Sequence, residues 1–298
     1  MSKTYVLYHG GGCVDGFTAS WASWKRLGDT ATYIPCTYNR RPKPLCDLPD
    51  GSDVYILDYS FARADLEAAH ARMNLLRVVD HHVSAQRDLE GLDYCHFDST
   101  KSGAYLAWEA FHPGVEVPRF VKLVSDRDLW IFDDPDTILL HAALTSFPMN
   151  DFKLWSELAD DLEITLLEGR VLLRQSKIQI KSICDKATMA TFNIGFNAYK
   201  VVVCNATSHW SDVGNDLLLA YPDAEFAAVF STIYDRDTNK FVNKWSLRSR
   251  KDGVDVSKIA ALFGGGGHEP AAGFSAALDL MPKPIASTKP RQRDQAAK

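Results

Sequence analysis

The chain has 298 residues, of which 46% are apolar and 24% charged, and a formal net charge of −5. That length exceeds what one small core ordinarily serves, so two domains with a cleft between them are expected. The negative balance argues against tight binding to long duplex nucleic acid through many phosphate contacts, and the absence of an apolar run of bilayer length argues against a membrane partner.

The opening apolar stretch, Tyr5 to Tyr8, is too short for a signal-peptide core. Six cysteines without CxxC spacing fit neither a disulfide scaffold nor a zinc knuckle, so a reducing cytoplasm is the expected location. Along the first 80 residues three short apolar runs each end abruptly in a polar residue: Tyr5–Tyr8 in His9, Val54–Leu57 in Asp58, Leu75–Val79 in Asp80. Between them, Phe17–Leu27 and Ala62–Met73 carry apolar residues at helical spacing. The alternation predicts strand, helix, strand, helix, strand, hence a parallel sheet, with functional groups gathered at the strand ends. DSTKSGAYLAWEAF then predicts a capped helix whose first N–H groups suit an anion, with Ser102 as a substrate contact.

From Asp151 to about Ile194 helical spacing dominates, which predicts a connector. Longer strands follow in TFNIGFNAYKVVVCNA, EFAAVFSTIY and KFVNKWSLRS, the last two joined by a turn at DRDTN. Helical patterns are expected from Asp212 to Ala220 and from Val256 to Phe263. A stretch from Met281 that is poor in large apolar residues predicts a disordered tail.

Five segments carry chemistry. YHGGGCVDGF sets His9, Cys13 and Asp15 on a glycine-rich turn, which suits either converging ligands or a phosphate cradle. Asp58 reads as a ligand or as a helix N-cap. VVDHHVS sets two imidazoles after an acid at a strand end, and burying them there demands a partner such as a metal. SDRD supplies Asp126 and Asp128 around Arg127, as ligands or as a surface ion-pair turn. SLRSRKDGVDVSKIAALFGGGGHEPAAGF combines Arg248, Gly265, Gly266, Gly267 and His268, which suits a phosphate-gripping loop.

In that order, HxxxCxDG, the isolated Asp, DHH, SDRD and GGGGHxxAAG resemble the DHH phosphoesterase superfamily with its DHH-associated C-terminal domain. The resemblance covers nearly the whole chain outside the tail. It implies an α/β fold, with a parallel-sheet metal-binding catalytic domain over 1–150, a helical connector over 151–190, a smaller α/β substrate-binding domain over 191–280 and a tail over 281–298. It implies a metal-dependent hydrolase acting on a phosphodiester or terminal phosphate of short oligonucleotides or small nucleotides, with exopolyphosphatase-like hydrolysis or non-catalytic nucleotide binding as alternatives. A homodimer is compatible with it.

The resemblance further implies two divalent cations, manganese foremost. One falls to His9, Cys13 and Asp58, the other to Asp15, Asp58, His81 and Asp126, although the two acids of SDRD leave Asp128 equally eligible. Asp80 would orient the histidines, His82 would face the phosphate, and Arg248, His268 and Gly265 to Gly267 would hold the substrate, with Trp245 available to stack a base. Where the family commonly has DxD, this chain has Cys13-Val14-Asp15, and a thiol there changes the first site's metal preference.

Overall fold

A computed structural model describes residues 2–37, 44–236 and 238–285. The remainder of the tail expected from 281, residues 286–298, lies outside the described residues. The chain divides into two compact units, Met1–Arg174 and Gln175–Lys298.

In the first unit the elements run β1 (Thr4–His9), α1 (Val14–Leu27), β2 (Ala31–Cys36), β3 (Asp53–Leu57), α2 (Arg63–His70), β4 (Leu75–Asp80), α3 (Val83–Asp88), β5 (Cys95–Phe97), α4 (Gly103–Phe111), α5 (Arg119–Asp128), α6 (Thr137–Leu144) and α7 (Phe152–Asp160). The five strands form one wholly parallel sheet in the order β2-β1-β3-β4-β5. Period-two alternation assigns the side chains to its faces. Val6, Tyr8, Leu57 and Val79 pack among Phe17, Trp21, Ala104, Phe120 and Trp155. Leu7, Ile56 and Val78 pack on the other face with Leu66 and Ala69 of α2. The predicted strands β1, β3 and β4 are therefore neighbours, and their carboxyl ends share one edge.

The predicted connector separates into parts. α7 sends Trp155 and Leu158 into the core of the first unit. The division between units falls inside the long helix α8 (Leu162–Cys184), and Ile180 near its end packs in a core of the second unit.

The second unit continues with β6 (Thr188–Ile194), β7 (Asn197–Asn205), α9 (Trp210–Ala220), β8 (Phe226–Asp235), β9 (Lys240–Ser249), α10 (Val256–Ala261), β10 (Gly266–His268), β11 (Ala271–Ala276) and β12 (Lys283–Pro284). They form a seven-stranded sheet in the order β10-β11-β9-β8-β7-β6-β12, with β7 and β8 parallel across α9 and the other pairings antiparallel. The run TFNIGFNAYKVVVCNA, read from sequence as one strand, is a hairpin broken at Gly195, whose φ of +60° opens the turn. Lys283 and Pro284, expected in the tail, pair with Thr191 and Ala190 of β6. The α/β class holds in both units. Among the described residues no helix is long and apolar enough to cross a membrane.

Candidate metal centre

Three strand ends deliver the ligands. β1 ends in His9, and the turn after it places Cys13 at the N-cap of α1, where its sulfur accepts from Gly16 N at 3.3 Å. Asp58 follows β3 with φ +52°, a left-handed conformation that Asp tolerates better than most residues, while its N–H donates to Val79 O at 2.9 Å. β4 ends in Asp80, and His81 and His82 follow directly.

The carboxylate of Asp58 is 1% exposed and faces two groups, one oxygen to each. Oδ2 lies 3.3 Å from His9 Nδ1 and 3.6 Å from Cys13 Sγ. Oδ1 lies 3.1 Å from His81 Nε2, which is in turn 3.5 Å from Asp128 Oδ2. His9, Cys13 and Asp58 offer ligand atoms within 4.8 Å of one another, as do Asp15, His81 and Asp128. Donors bound at roughly 2.0–2.3 Å to one ion stand at most about 4.6 Å apart, so slight contraction converts either group into a coordination shell. Although His81 is close, Asp58 Oδ1 is buried without a properly directed hydrogen bond. A buried, unsatisfied carboxylate oxygen amid nitrogen, sulfur and oxygen donors fits a divalent cation.

Around these groups the other side chains are pinned. Asp80 is fully buried. Its Oδ2 accepts from Ser60 Oγ at 2.7 Å, and its Oδ1 accepts from His81 N at 2.7 Å and lies 2.6 Å from His82 Nδ1. With both oxygens so engaged it holds the ring of His82 and the backbone of His81. Asp15 is 2% exposed and accepts from Gly103 N at 2.7 Å and Ala104 N at 3.1 Å. The helix N-terminus expected to receive a substrate anion is thus taken by Asp15. Ser102, expected to touch substrate, is fully buried as the N-cap of α4, its Oγ accepting from Tyr105 N.

Of the two acids in SDRD the structure brings Asp128, not Asp126, to His81. Residues two apart on a helix point to different sides. Asp126 accepts from Asp133 N, Asp134 N and Thr137 Oγ1, and so ties down the loop after α5. In that loop Trp130 and Phe132 have φ of +59° and +60°, and the Arg127 guanidinium lies 4.2 Å from the Trp130 ring centroid. Strained aromatic backbone beside Asp128 is the kind of feature that concentrates at functional sites.

Sequence reasoning missed Gly103, since nothing local marks it out. A Cβ there would stand 2.3 Å from Asp58 Cβ. Gly103→Ala is expected to cost about 1–3 kcal/mol through overpacking and to push Asp58 out of place. Equilibrium unfolding and cation titration of the variant would check both effects, and unchanged values in both would disprove the close fit.

Burial and neighbouring charge shift the protonation of the cluster. Burial, then Asp128 and Asp58, pushes the Asp15 carboxyl well above the usual range. Burial, then Asp58, Asp128 and Asp15, does the same to the Cys13 thiol. Burial opposes charge on His81, but Asp58, Asp128 and Asp15 outweigh it and raise its pKa to about 10. Burial opposes charge on His82 too, and Asp80 with Asp58 raises it to about 9.

The stabilisation from His81 and His82 is fully present below their unfolded value of about 6.5 and is lost as pH rises through about 9–10. Ionisation of Asp15, whose folded pKa is also raised, acts in the same direction. Chelator-treated protein is therefore expected to show a falling melting temperature between about pH 6.5 and pH 10, and added manganese to flatten the decline. Scanning fluorimetry across that range checks it, and a flat metal-free profile would count against the cluster's charge balance.

In the second unit, β9, β11 and β10 align Arg248, Ala271 and His268 in one cross-strand row. Arg248 and His268 therefore share a sheet face. Gly266 and Gly267, expected in a loop, form β10 with His268, and Gly265 precedes it. Trp245 cannot stack a base: it is 1% exposed in the core with Phe192, Phe230 and Phe274. Three residues before Arg248 on the same strand, it points to the opposite face.

No family model matches the chain. An uncharacterized protein of Acanthamoeba polyphaga mimivirus is 31% identical over 288 residues, 91% of this chain and 66% of that protein. Oligoribonuclease NrnB of Bacillus subtilis is 26% identical over 223 residues, 67% of this chain and 52% of that protein. The chain thus spans 66% and 52% of the lengths of these two relatives. Among solved structures, a pGpG-specific phosphodiesterase from Vibrio cholerae superposes with a TM-score of 0.49 at 14% identity, covering 93% of this chain and 94% of that one.

Proposed function

We propose that the chain is a member of the DHH phosphoesterase superfamily, whose ordered motifs it carries, and a cytoplasmic, manganese-dependent hydrolase of short oligonucleotides or small nucleotides. The observation that carries this reading is the Asp58 carboxylate, buried and set with one oxygen toward each of two ligand groups. The relative named as an oligoribonuclease agrees in substrate size.

His9, Cys13 and Asp58 would hold one cation, and Asp15, Asp58, His81 and Asp128 the second. Cations held there supply Lewis acidity, neutralising phosphoryl oxygens and acidifying a water molecule. The protein's own groups orient and bind. Asp80 fixes the ring of His82 through Nδ1, and His82 keeps 17% side-chain exposure, so its imidazolium is the group that meets the phosphoryl oxygens. We assign Arg248, His268 and the Gly265 to Gly267 backbone to phosphate binding within the second unit, the first two from one sheet face.

Incubating the purified full chain and manganese with a dinucleotide, adenosine 3′,5′-bisphosphate and polyphosphate tests the reading. Mononucleotide or phosphate release from the first two is expected. Nucleotide binding without hydrolysis under manganese, cobalt or zinc would overturn it in favour of a non-catalytic binder, and turnover of polyphosphate alone would move it to polyphosphatase chemistry.

A further inference from the structure

Within the first unit, a cavity of about 400 Å³ adjoins the candidate metal centre, a size inside the ~300–1,000 Å³ range of small-ligand sites. His9 and Cys13 belong both to its lining and to the first ligand group, so the two are continuous. The remaining walls are largely aromatic. Tyr8, Phe17, Tyr33, Met149 and Phe152 line it, and Asn150 lies at an exposed position among them.

Phe152 organises these walls. Its ring stacks on Phe17 with centroids 5.0 Å apart and 10° between planes, and Tyr33 meets it edge-on at 4.8 Å. It is the first residue of α7, and Asp151 caps that helix by accepting from Lys153 N and Leu154 N, which fixes where the ring stands. Tyr33 donates its hydroxyl to Gly28 O at 3.0 Å, so its polar end is already satisfied. The Gly10 to Gly12 backbone completes the lining without side chains to fill the space.

Among the described residues that line the cavity there is no lysine or arginine. Against walls of this composition a flat, weakly polar ring gains aromatic contact and loses little solvation. From this we infer that the cavity is a nucleobase subsite, taking the base of a nucleotide whose phosphate rests on the His9, Cys13 and Asp58 group. Asn150, with both a donor and an acceptor, suits the polar edge of that base. The inference deepens the phosphoesterase reading and rests on it.

Calorimetric titration of the manganese-loaded full chain with adenosine 5′-monophosphate and with ribose 5-phosphate isolates the base. Each protein is its own control, since the quantity read is the ratio of two dissociation constants. The wild-type chain is expected to bind the nucleotide about tenfold or more tighter. Phe152→Leu, which removes one aromatic wall, is expected to bring the ratio toward one. Equal affinities in the wild type, or a tenfold preference surviving in Phe152→Leu, would overturn the inference. Measured beside these, manganese-dependent release of mononucleotide from a dinucleotide separates the two readings. Hydrolysis without a base preference defeats the subsite alone, and absence of both hydrolysis and phosphate binding defeats the phosphoesterase reading together with it.

Discussion

Asp58→Asn is expected to abolish manganese-supported turnover while leaving the fold intact. The substitution keeps the shape of the side chain and a residue type that accepts the left-handed φ of +52° at this position. What it removes is the charge that lies against His9 and Cys13 on one side and His81 on the other. Substituting outer partners of metal ligands costs about 10–100-fold, and a residue set between both groups should exceed that, so a loss of more than ~100-fold in kcat/KM is expected. Asp58→Ala should match it in activity and lose more stability, because the left-handed conformation then falls to a residue with no side chain to hydrogen-bond locally. Should Asp58→Asn retain wild-type turnover at saturating manganese, Asp58 would not be the residue shared by the two ligand groups.

Much of this centre is legible in the sequence because its ligands sit at strand ends. An apolar run that stops at an acid or imidazole is a local signal, and it found His9, Asp58, Asp80, His81 and His82 together with β1, β3 and β4. β2 gave a weaker signal, since it is an edge strand carrying Pro35 with few buried positions. β5 has only three residues.

The choice between Asp126 and Asp128 was beyond pattern reading. Both are acids in one segment, and only the orientation of α5 decides which reaches His81. The capture of the α4 N-terminus by Asp15 is likewise a tertiary event, joining positions that are remote in the chain. The misplacement of Trp245 was avoidable by contrast. Trp245 and Leu247 alternate as the buried side of β9, and that period places Arg248 on the other face.

Cys13 stands where the resemblance leads one to expect an acid, and Cys13→Asp separates its two structural roles. Its sulfur caps α1 through Gly16 N and stands 3.6 Å from Asp58 Oδ2. Aspartate is a strong N-cap residue, so the helix start should gain. The same change adds a carboxylate to a cluster that already pushes the Asp15 carboxyl and the Cys13 thiol above their usual ranges. Without metal, that added charge opposes the gained cap, and the melting temperature should become more dependent on divalent cation.

With metal, a hard oxygen replaces a soft sulfur, so manganese should bind about tenfold or more tighter while the margin for zinc shrinks. A ligand role for residue 13 requires both changes. If only thermal stability rises, with manganese and zinc titrations unmoved, Cys13 is a cap and nothing more. Cys13→Ser resolves that outcome further, because a hydroxyl keeps the cap while giving up the thiol that zinc prefers.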